Sequence, residues 1–405
     1  HPLRAKDLRV TAGGAWKNGE LRRDSLHGPA VQRNRHCVAP REKLTIGPAL
    51  PGCQDPGKEP ALSAMPPTAA APHLQTGTSP AAPRLALPRL SIIIVNYRQW
   101  EETDALVRRL QATAGVQRGD AEIVIVDNHS PRHPLVKRLR RQPHVSLRRW
   151  EQNRGFARAV NEGCRLSQGE WFLLLNPDIT PTDGFLEGVV ALLDQLEPNA
   201  GIVGFHLRNS DGSRQLSTGP LPTLGSTLAR LLLPRSRRKY HCIRTDQRCR
   251  VPWVTGCCLL LRRDCLRDLQ GLDEDFFLYY EDVDLCRRAE ERGWTVWYEP
   301  NLAVVHHAPL HQRPVPAAMR LVTRHSLMTY ASKHWPRWQF RLLTRLVATE
   351  ATARRWYSWW TGDGHQARLF ATLGDVCRDL RQADSAEAQR RIDSALRRVD
   401  VRVGV

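Results

Sequence analysis

From residue 90 onward the chain alternates short apolar runs with amphipathic stretches. Residues 91–95 (Ser-Ile-Ile-Ile-Val) and 122–126 (Glu-Ile-Val-Ile-Val) are β-branched runs of strand length. Residues 171–175 (Trp-Phe-Leu-Leu-Leu) form a third, apolar at every position, as a strand covered on both faces requires. Val145 and Gly201 open two further strands. Between them Leu106, Val107 and Leu110, then Phe156, Val160 and Cys164, recur at helical spacing. Thr180-Pro181 reads as an N-cap and first turn, opening a helix through Phe185, Val189, Leu192 and Leu193. Two short strands are expected at 295–298 and 302–305. Strand–helix alternation of this kind predicts an α/β fold with a mainly parallel sheet and helices on both faces.

The flanks follow different patterns. Residues 1–88 are rich in Pro, Gly, Arg and Ala, with little apolar periodicity, and are expected to be disordered or a non-native extension. The first methionine is Met65, a candidate true start; a genuine disordered tail is the equal alternative. Residues 89–312 are the expected catalytic domain, and 313–405 a helical region. Residues 227–250 are strongly basic and expected to be a loop. Beyond Pro316 the pattern becomes helical: Trp338, Leu342, Leu346, Leu343 and Val347 mark an apolar face, and Arg337, Arg341 and Arg345 a basic stripe. Trp356, Tyr357, Trp359 and Trp360 cluster after it. They either pack this region onto the catalytic domain or dock on an anionic membrane surface. Asp384 with Glu387 resembles a capping pair.

Charge narrows the partners. A formal net charge of +19 suggests nucleic acid, a phospholipid surface or a phosphorylated substrate. No nucleic-acid motif supports the first. No run reaches the length of a membrane-spanning helix and no secretory h-region is evident. The ten cysteines form no CxxC sets, and Cys257 and Cys258 sit in an apolar run as small core residues, which fits a reducing, cytoplasmic compartment.

The chemistry concentrates at strand ends. Asp127 follows the second strand, and Asp178, after Asn176-Pro177, follows the 171–175 strand; open α/β sheets bind ligands beyond such ends. Asp127 can accept from a pyrimidine N–H or bond its own turn. Asp178 suits Mg²⁺ or Mn²⁺, whose remaining sites phosphate oxygens and water fill, or a helix N-terminus. Asn153-Arg-Gly-Phe-Ala157 with Asn161 puts a glycine where backbone approaches a ligand, and Arg154 suits phosphate. Glu281, Asp282 and Asp284 crowd three acids into four residues, which raises a carboxyl toward the range of a general base. His306 and His307 end the last strand of the core and are candidate metal ligands.

Taken in order, Ser-Ile-Ile-Ile-Val-Asn-Tyr97, Val-Asp-Asn-His-Ser130, Asn-Arg-Gly-Phe-Ala157, Leu-Leu-Leu-Asn-Pro-Asp178, Val-Thr-Gly256 and Phe-Phe-Leu-Tyr-Tyr-Glu-Asp-Val-Asp-Leu-Cys286 resemble glycosyltransferase family 2, of GT-A fold, in its rhamnosyltransferase-like branch. The resemblance implies an inverting, metal-dependent transfer from a nucleotide sugar, dTDP-rhamnose being the first guess, with UDP- and GDP-sugars open. The acceptor is a glycan or polyprenyl-linked sugar in surface polysaccharide synthesis, reached at the inner face of the cytoplasmic membrane. It places Val95, Tyr97 and Asp127 at the base and ribose, Asn153, Arg154, Asn161, Thr255 and Gly256 around the donor, Asp178 and His307 on the metal, and Asp282 as base beside Glu281. Ala-Pro-Leu-His stands where Gly-Gly-x-Ser often follows that histidine. A non-catalytic nucleotide-sugar-binding protein of the same fold is the alternative. A dinucleotide oxidoreductase is opposed by Asn-Tyr-Arg-Gln where G-x-G-x-x-G belongs.

Overall fold

The computed structural model describes residues 87–232, 247–307 and 316–398. The expectations for residues 1–86, including Met65, and for the basic segment 233–246 lie outside these. In chain order the elements are β1 Leu90–Asn96, α1 Trp100–Gln111, α2 Ala114–Gln117, β2 Ala121–Asp127, α3 Leu135–Leu139, β3 Val145–Arg149, α4 Phe156–Leu166, β4 Trp171–Leu175, β5 Ile179–Pro181, α5 Phe185–Leu193, β6 Ala200–Arg208 and β7 Arg214–Gln215. There follow α6 Leu224–Leu232, β8 Cys249–Arg250, β9 Cys258–Arg262, α7 Arg263–Asp268, α8 Glu281–Glu291, β10 Thr295–His306, α9 Ala317–His334, α10 Arg337–Trp360, α11 Gly364–Arg381 and α12 Ser385–Arg398.

The sheet runs β3-β2-β1-β4-β9-β6-β10-β5, with β7 on β6 and β8 on β10. The pairs among β3, β2, β1 and β4 are parallel, as is β6 with β10. β9 enters antiparallel to both β4 and β6. Helices cover both faces, so the central strands are apolar throughout and alternate residues join separate cores. Ile93, Val95, Phe172 and Leu174 face the core shared with α4, α8 and α9. Ile92, Ile94, Leu173 and Leu175 face the core shared with α1 and α5. Register aligns Asn96 with Asp127 and Leu175 with Cys258. The carboxyl ends of β1, β2 and β4 therefore meet the entry to β9 at one end of the strands.

Four expectations are corrected. Thr180-Pro181 does not open a helix. It belongs to β5, which pairs antiparallel with Val304–His306 at the sheet edge, where a proline lacking an N–H is tolerated. The helix starts at Phe185 behind Gly184, whose φ of +72° is left-handed. The two strands expected at 295–298 and 302–305 are one, β10, with a register shift between Glu299 and Ala303 where Pro300 falls. Part of the expected basic loop is ordered, as α6 at one end and β8 at the other. On α10 the expected single face divides: Leu343 and Val347 are buried, whereas Trp338, Leu342 and Leu346 are exposed. Asp384 does cap α12, accepting from Glu387 N–H at 2.8 Å.

α9 is bonded along the segment that leads into α8. Ser326 Oγ donates to the Leu278 carbonyl at 2.7 Å, and Lys333 lies 2.8 Å from both Asp273 and Asp275. His334 Nε2 is 2.6 Å from Asp284.

Candidate functional site

Asp282 sits one residue inside the amino end of α8. Tyr279 and Tyr280 precede it with φ of +71° and +69°, a strained pair for residues with side chains. The bend aims the first turn of α8 at the start of β9. Asp282 Oδ2 accepts from Gly256 N–H at 2.9 Å and Oδ1 from Val283 N–H at 2.8 Å. Burial raises the Asp282 carboxyl above the ordinary range, opposed by the N–H groups of Gly256 and Val283 and by the Thr255 side chain. Its neighbour Glu281 is buried, with Oε2 unpartnered. Burial first, then the Asp282 charge, pushes Glu281 well above its ordinary value. Such a pair holds a shared proton more readily than two charges. The third acid, Asp284, goes the other way. Burial would raise it, but His334 and Arg288, 2.6 and 2.7 Å away, outweigh that and hold it below the usual carboxylate range.

Asp178 follows β4 through Asn176-Pro177. Asn176 N–H donates to the Cys257 carbonyl at 2.9 Å, which stitches this turn to the residue after Gly256. Burial lifts the Cys257 thiol to about 12, with smaller upward pushes from Asp178 and Asp282. Asp178 is buried, and neither of its oxygens has a hydrogen-bond partner. An orphaned buried carboxylate is costly unless a cation meets it.

His306 supplies a second donor. β5 lies against the end of β10 and brings His306 Nε2 to 3.4 Å from Asp178 Oδ2. Two ligands of one ion at about 2.0–2.1 Å can span that separation. On its other side, Gln215 Nε2 lies 2.8 Å from His306 Nδ1, while Gln215 Oε1 is buried without a partner. Turned over, that amide would accept from Nδ1–H and leave the Nε2 lone pair facing Asp178. His307 points away: Nε2 is 2.8 Å from Thr180 Oγ1 and Nδ1 is 3.0 Å from Ser210 Oγ. Among the described residues no three His, Cys, Asp or Glu side chains gather into a complete cage. The fit is that of Mg²⁺ or Mn²⁺ bound by one or two side chains, with diphosphate oxygens and water as the rest.

The remaining candidates divide between cleft and scaffold. Asp127 is fully buried and accepts from Asn96 Nδ2 at 2.9 Å, Ser130 N–H at 3.2 Å and Arg149 Nε at 2.8 Å. Asn128 ties β2 to the turn before α4, donating to Asn153 Oδ1 and the Gly155 carbonyl and accepting from Arg154 N–H. Gly155, with φ of +89°, lies so close to Phe277 that a Cβ would come within 2.8 Å of its carbonyl oxygen. Arg154 is exposed, 5.0 Å over the Trp150 ring. Val95 is buried in the core and Tyr97 packs half-buried beside it. Asn161 uses its amide on the Leu272 backbone and Glu274, pinning the 271–274 turn. Gln215, Arg149 and His334 had no signal in the sequence; only folding sets them against His306, Asp127 and Asp284. Asn96 did have one, since it ends its strand as Asp127 ends the next.

The sequence profile of glycosyl transferase family 2 matches residues 91–270. An N-acetylglucosaminyl-diphospho-decaprenol L-rhamnosyltransferase of Mycobacterium tuberculosis is 33% identical over 205 residues, 46% of this chain and 66% of its own length. A low-salt glycan biosynthesis hexosyltransferase of Haloferax volcanii is 27% identical over 243 residues, 56% of this chain and 69% of its own. A solved mannosyltransferase of Pyrobaculum calidifontis, in complex with GDP-Man and Mn²⁺, shares 16% identity over 78% of this chain and 88% of its own, with a TM-score of 0.41. The described residues form the α/β architecture expected from the sequence, a mainly parallel sheet with helices on both faces.

Proposed function

We propose, on the premise that residues 91–270 belong to glycosyl transferase family 2, that this chain moves a sugar from a nucleoside diphosphate donor onto a glycan or polyprenyl-linked acceptor, with inversion, in surface polysaccharide synthesis. One observation carries the reading: Asn176 N–H bonds the Cys257 carbonyl and Gly256 N–H bonds Asp282, which ties the turn bearing Asp178, a buried carboxylate without a hydrogen-bond partner, to the segment that holds Asp282. A donor diphosphate needs Asp178 and an acceptor hydroxyl Asp282. Residues 89–312 would form the catalytic domain and 313–405 the helical region that holds α8. The tuberculosis relative is named for L-rhamnosyl transfer to a decaprenyl diphosphate sugar. We carry that pairing of sugar and acceptor to this chain as its working substrate class, met at the cytoplasmic leaflet.

In this mechanism Asp178 and His306 would hold Mg²⁺ or Mn²⁺, with Gln215 fixing the histidine tautomer. A divalent ion bound there offsets the charge that gathers on a departing nucleoside diphosphate. Gly256 and Val283 N–H groups orient Asp282 so that it can take the proton from the attacking hydroxyl. Burial holds the Glu281 carboxyl well above its ordinary range, so a proton on the pair favours Glu281 and the negative charge favours Asp282. Asp127, locked by Asn96, Ser130 and Arg149, shapes the floor beneath the donor base.

Calorimetric titration with dTDP-, UDP- and GDP-sugars in Mn²⁺ tests the reading. Binding should appear for one nucleotide, vanish with chelator and vanish in Asp178→Ala. Undiminished, chelator-insensitive binding by Asp178→Ala would refute it. Donor binding without transfer or slow donor hydrolysis would instead favour a non-catalytic nucleotide-sugar-binding protein.

A further inference from the structure

α10 carries a surface that glycosyl transfer does not use. Among the described residues, every exposed large apolar or aromatic side chain except Leu87 and Leu166 lies on this one helix. Trp356, Trp359 and Trp360 stand 66%, 72% and 70% exposed at its carboxyl end, beside Tyr357. Trp338, Leu342 and Leu346 continue the surface toward the other end. At 3.6 residues per turn Trp338 and Trp356 fall on one line five turns apart, as do Leu342 and Trp360. The helix has 24 residues and a length of about 36 Å. Its opposite face, with Leu343, Val347 and Ala351, is already buried against the neighbouring helices. No rotation of α10 hides the aromatic face without stripping the packed one.

Charge identifies the occupant. Arg337, Arg341, Arg345 and Arg355 are exposed along one margin of the same face. The single acid of the helix, Glu350, is turned inward and bonded to Arg324 and Arg354. The outward face therefore offers guanidinium groups and indoles with no acid among them. Indoles favour the boundary between headgroup and acyl chain, and arginines favour anionic headgroups. A second copy of this chain is a poor match, because a two-fold contact sets the same cationic face against itself. No described helix is long and apolar enough to cross a membrane. We propose that this face of α10 docks flat on an anionic phospholipid surface, with its arginines at the headgroups and Trp338, Trp356, Trp359 and Trp360 seated between them. The proposal stands on α10 alone and needs neither donor nor metal.

The test is sedimentation of the full chain with phosphatidylcholine vesicles, with and without phosphatidylglycerol, alongside tryptophan emission. Binding should require phosphatidylglycerol, weaken with added salt and shift the emission to the blue. Arg341→Gln with Arg345→Gln should lower partitioning about 25-fold, at about fivefold for each arginine. Trp356→Ala, Trp359→Ala and Trp360→Ala together should lower it at least about tenfold and abolish the blue shift. All five positions are exposed, so an unchanged melting temperature and unchanged donor binding on the same samples report an intact fold and site. Absence of binding at low salt, equal binding to both vesicle types, or partitioning indifferent to these substitutions would overturn the proposal. So would self-association of the parent chain that the tryptophan variant loses in sedimentation velocity, which would assign the face to a second copy.

Discussion

Replacing Asp282 by asparagine removes the proposed base and little else, and its consequences follow from the contacts the carboxylate makes. Both oxygens accept backbone N–H groups, Oδ2 from Gly256 at 2.9 Å and Oδ1 from Val283 at 2.8 Å. Asparagine keeps one acceptor and turns an NH₂ toward the other N–H, so one hydrogen bond is lost at a cost of about 1–3 kcal/mol. Opposing this, removal of the charge relieves the repulsion with Glu281. The protein should stay folded and bind donor, with a melting temperature within several degrees of the parent. Turnover should behave otherwise. Loss of general-base assistance lowers kcat about 10²–10⁴-fold, equivalent to about 2.7–5.4 kcal/mol of barrier. The pH profile adds a second readout. The parent carboxyl is raised by burial, so the acid limb of kcat should lie above the ordinary aspartate range, and this limb should be absent from the residual activity of the variant. Initial-rate and single-turnover assays of nucleotide release, with donor affinity from calorimetry, measure both effects. A kcat within about tenfold of the parent at unchanged donor affinity would refute the assignment of Asp282 as base.

Three further outcomes are expected. Glu281 has a folded-state pKa raised above its ordinary value of 4.5, so the stability it lends is complete below that value and is lost as pH rises through the folded value. Glu281→Gln should therefore melt above the parent at about pH 8 and converge with it near about pH 4 in pH-resolved thermal scans. Gln215→Leu should weaken Mn²⁺ binding about 10–100-fold by calorimetry in the presence of a nucleoside diphosphate, because it removes the group that fixes the His306 ring; unchanged affinity would separate His306 from the ion. Asp284 has a depressed pKa, so its contribution is present above the ordinary value of 3.8 and is lost as pH falls through the lower, folded value. His334→Leu should remove part of that depression, cost about 1–3 kcal/mol and raise the pH midpoint of acid unfolding followed by circular dichroism.

Sequence pattern reached the parts of this fold that local residues decide. The apolar runs of β1, β2 and β4 admit one reading, and the acids at their ends fall at the same end of the strands because parallel strands in register deliver them there. Pattern failed where a distant partner decides. Thr180-Pro181 is an acceptable helix start on its own, and only Val304–His306, more than 120 residues later, makes it a strand. His306 and His307 are indistinguishable by composition. They are neighbours on a strand end, so they face opposite ways, and the pairing of β5 determines which one meets Asp178. The apolar residues of α10 show the same limit: Leu342 and Leu343 are adjacent letters, yet one is exposed and the other fully buried.

The bonds from α9 to the acid-rich segment carry a consequence for how the molecule would work at a boundary. Only Trp335 and Pro336 separate His334, which grips Asp284, from Arg337, where the tryptophan-bearing helix begins. The joint is stiffened by the Trp335 indole, which donates to the Pro222 carbonyl at 3.0 Å. Trimming the chain after its last strand would spare Asp127, Asp178 and Asp282 but leave the Leu278 carbonyl without its donor and the Asp284 carboxylate with Arg288 alone, so a minimal version should be idle rather than merely unmoored. In the whole chain, footing and chemistry share one lever. A bilayer that seats α10 would also set the tilt at which the crevice addresses anything rooted in that leaflet.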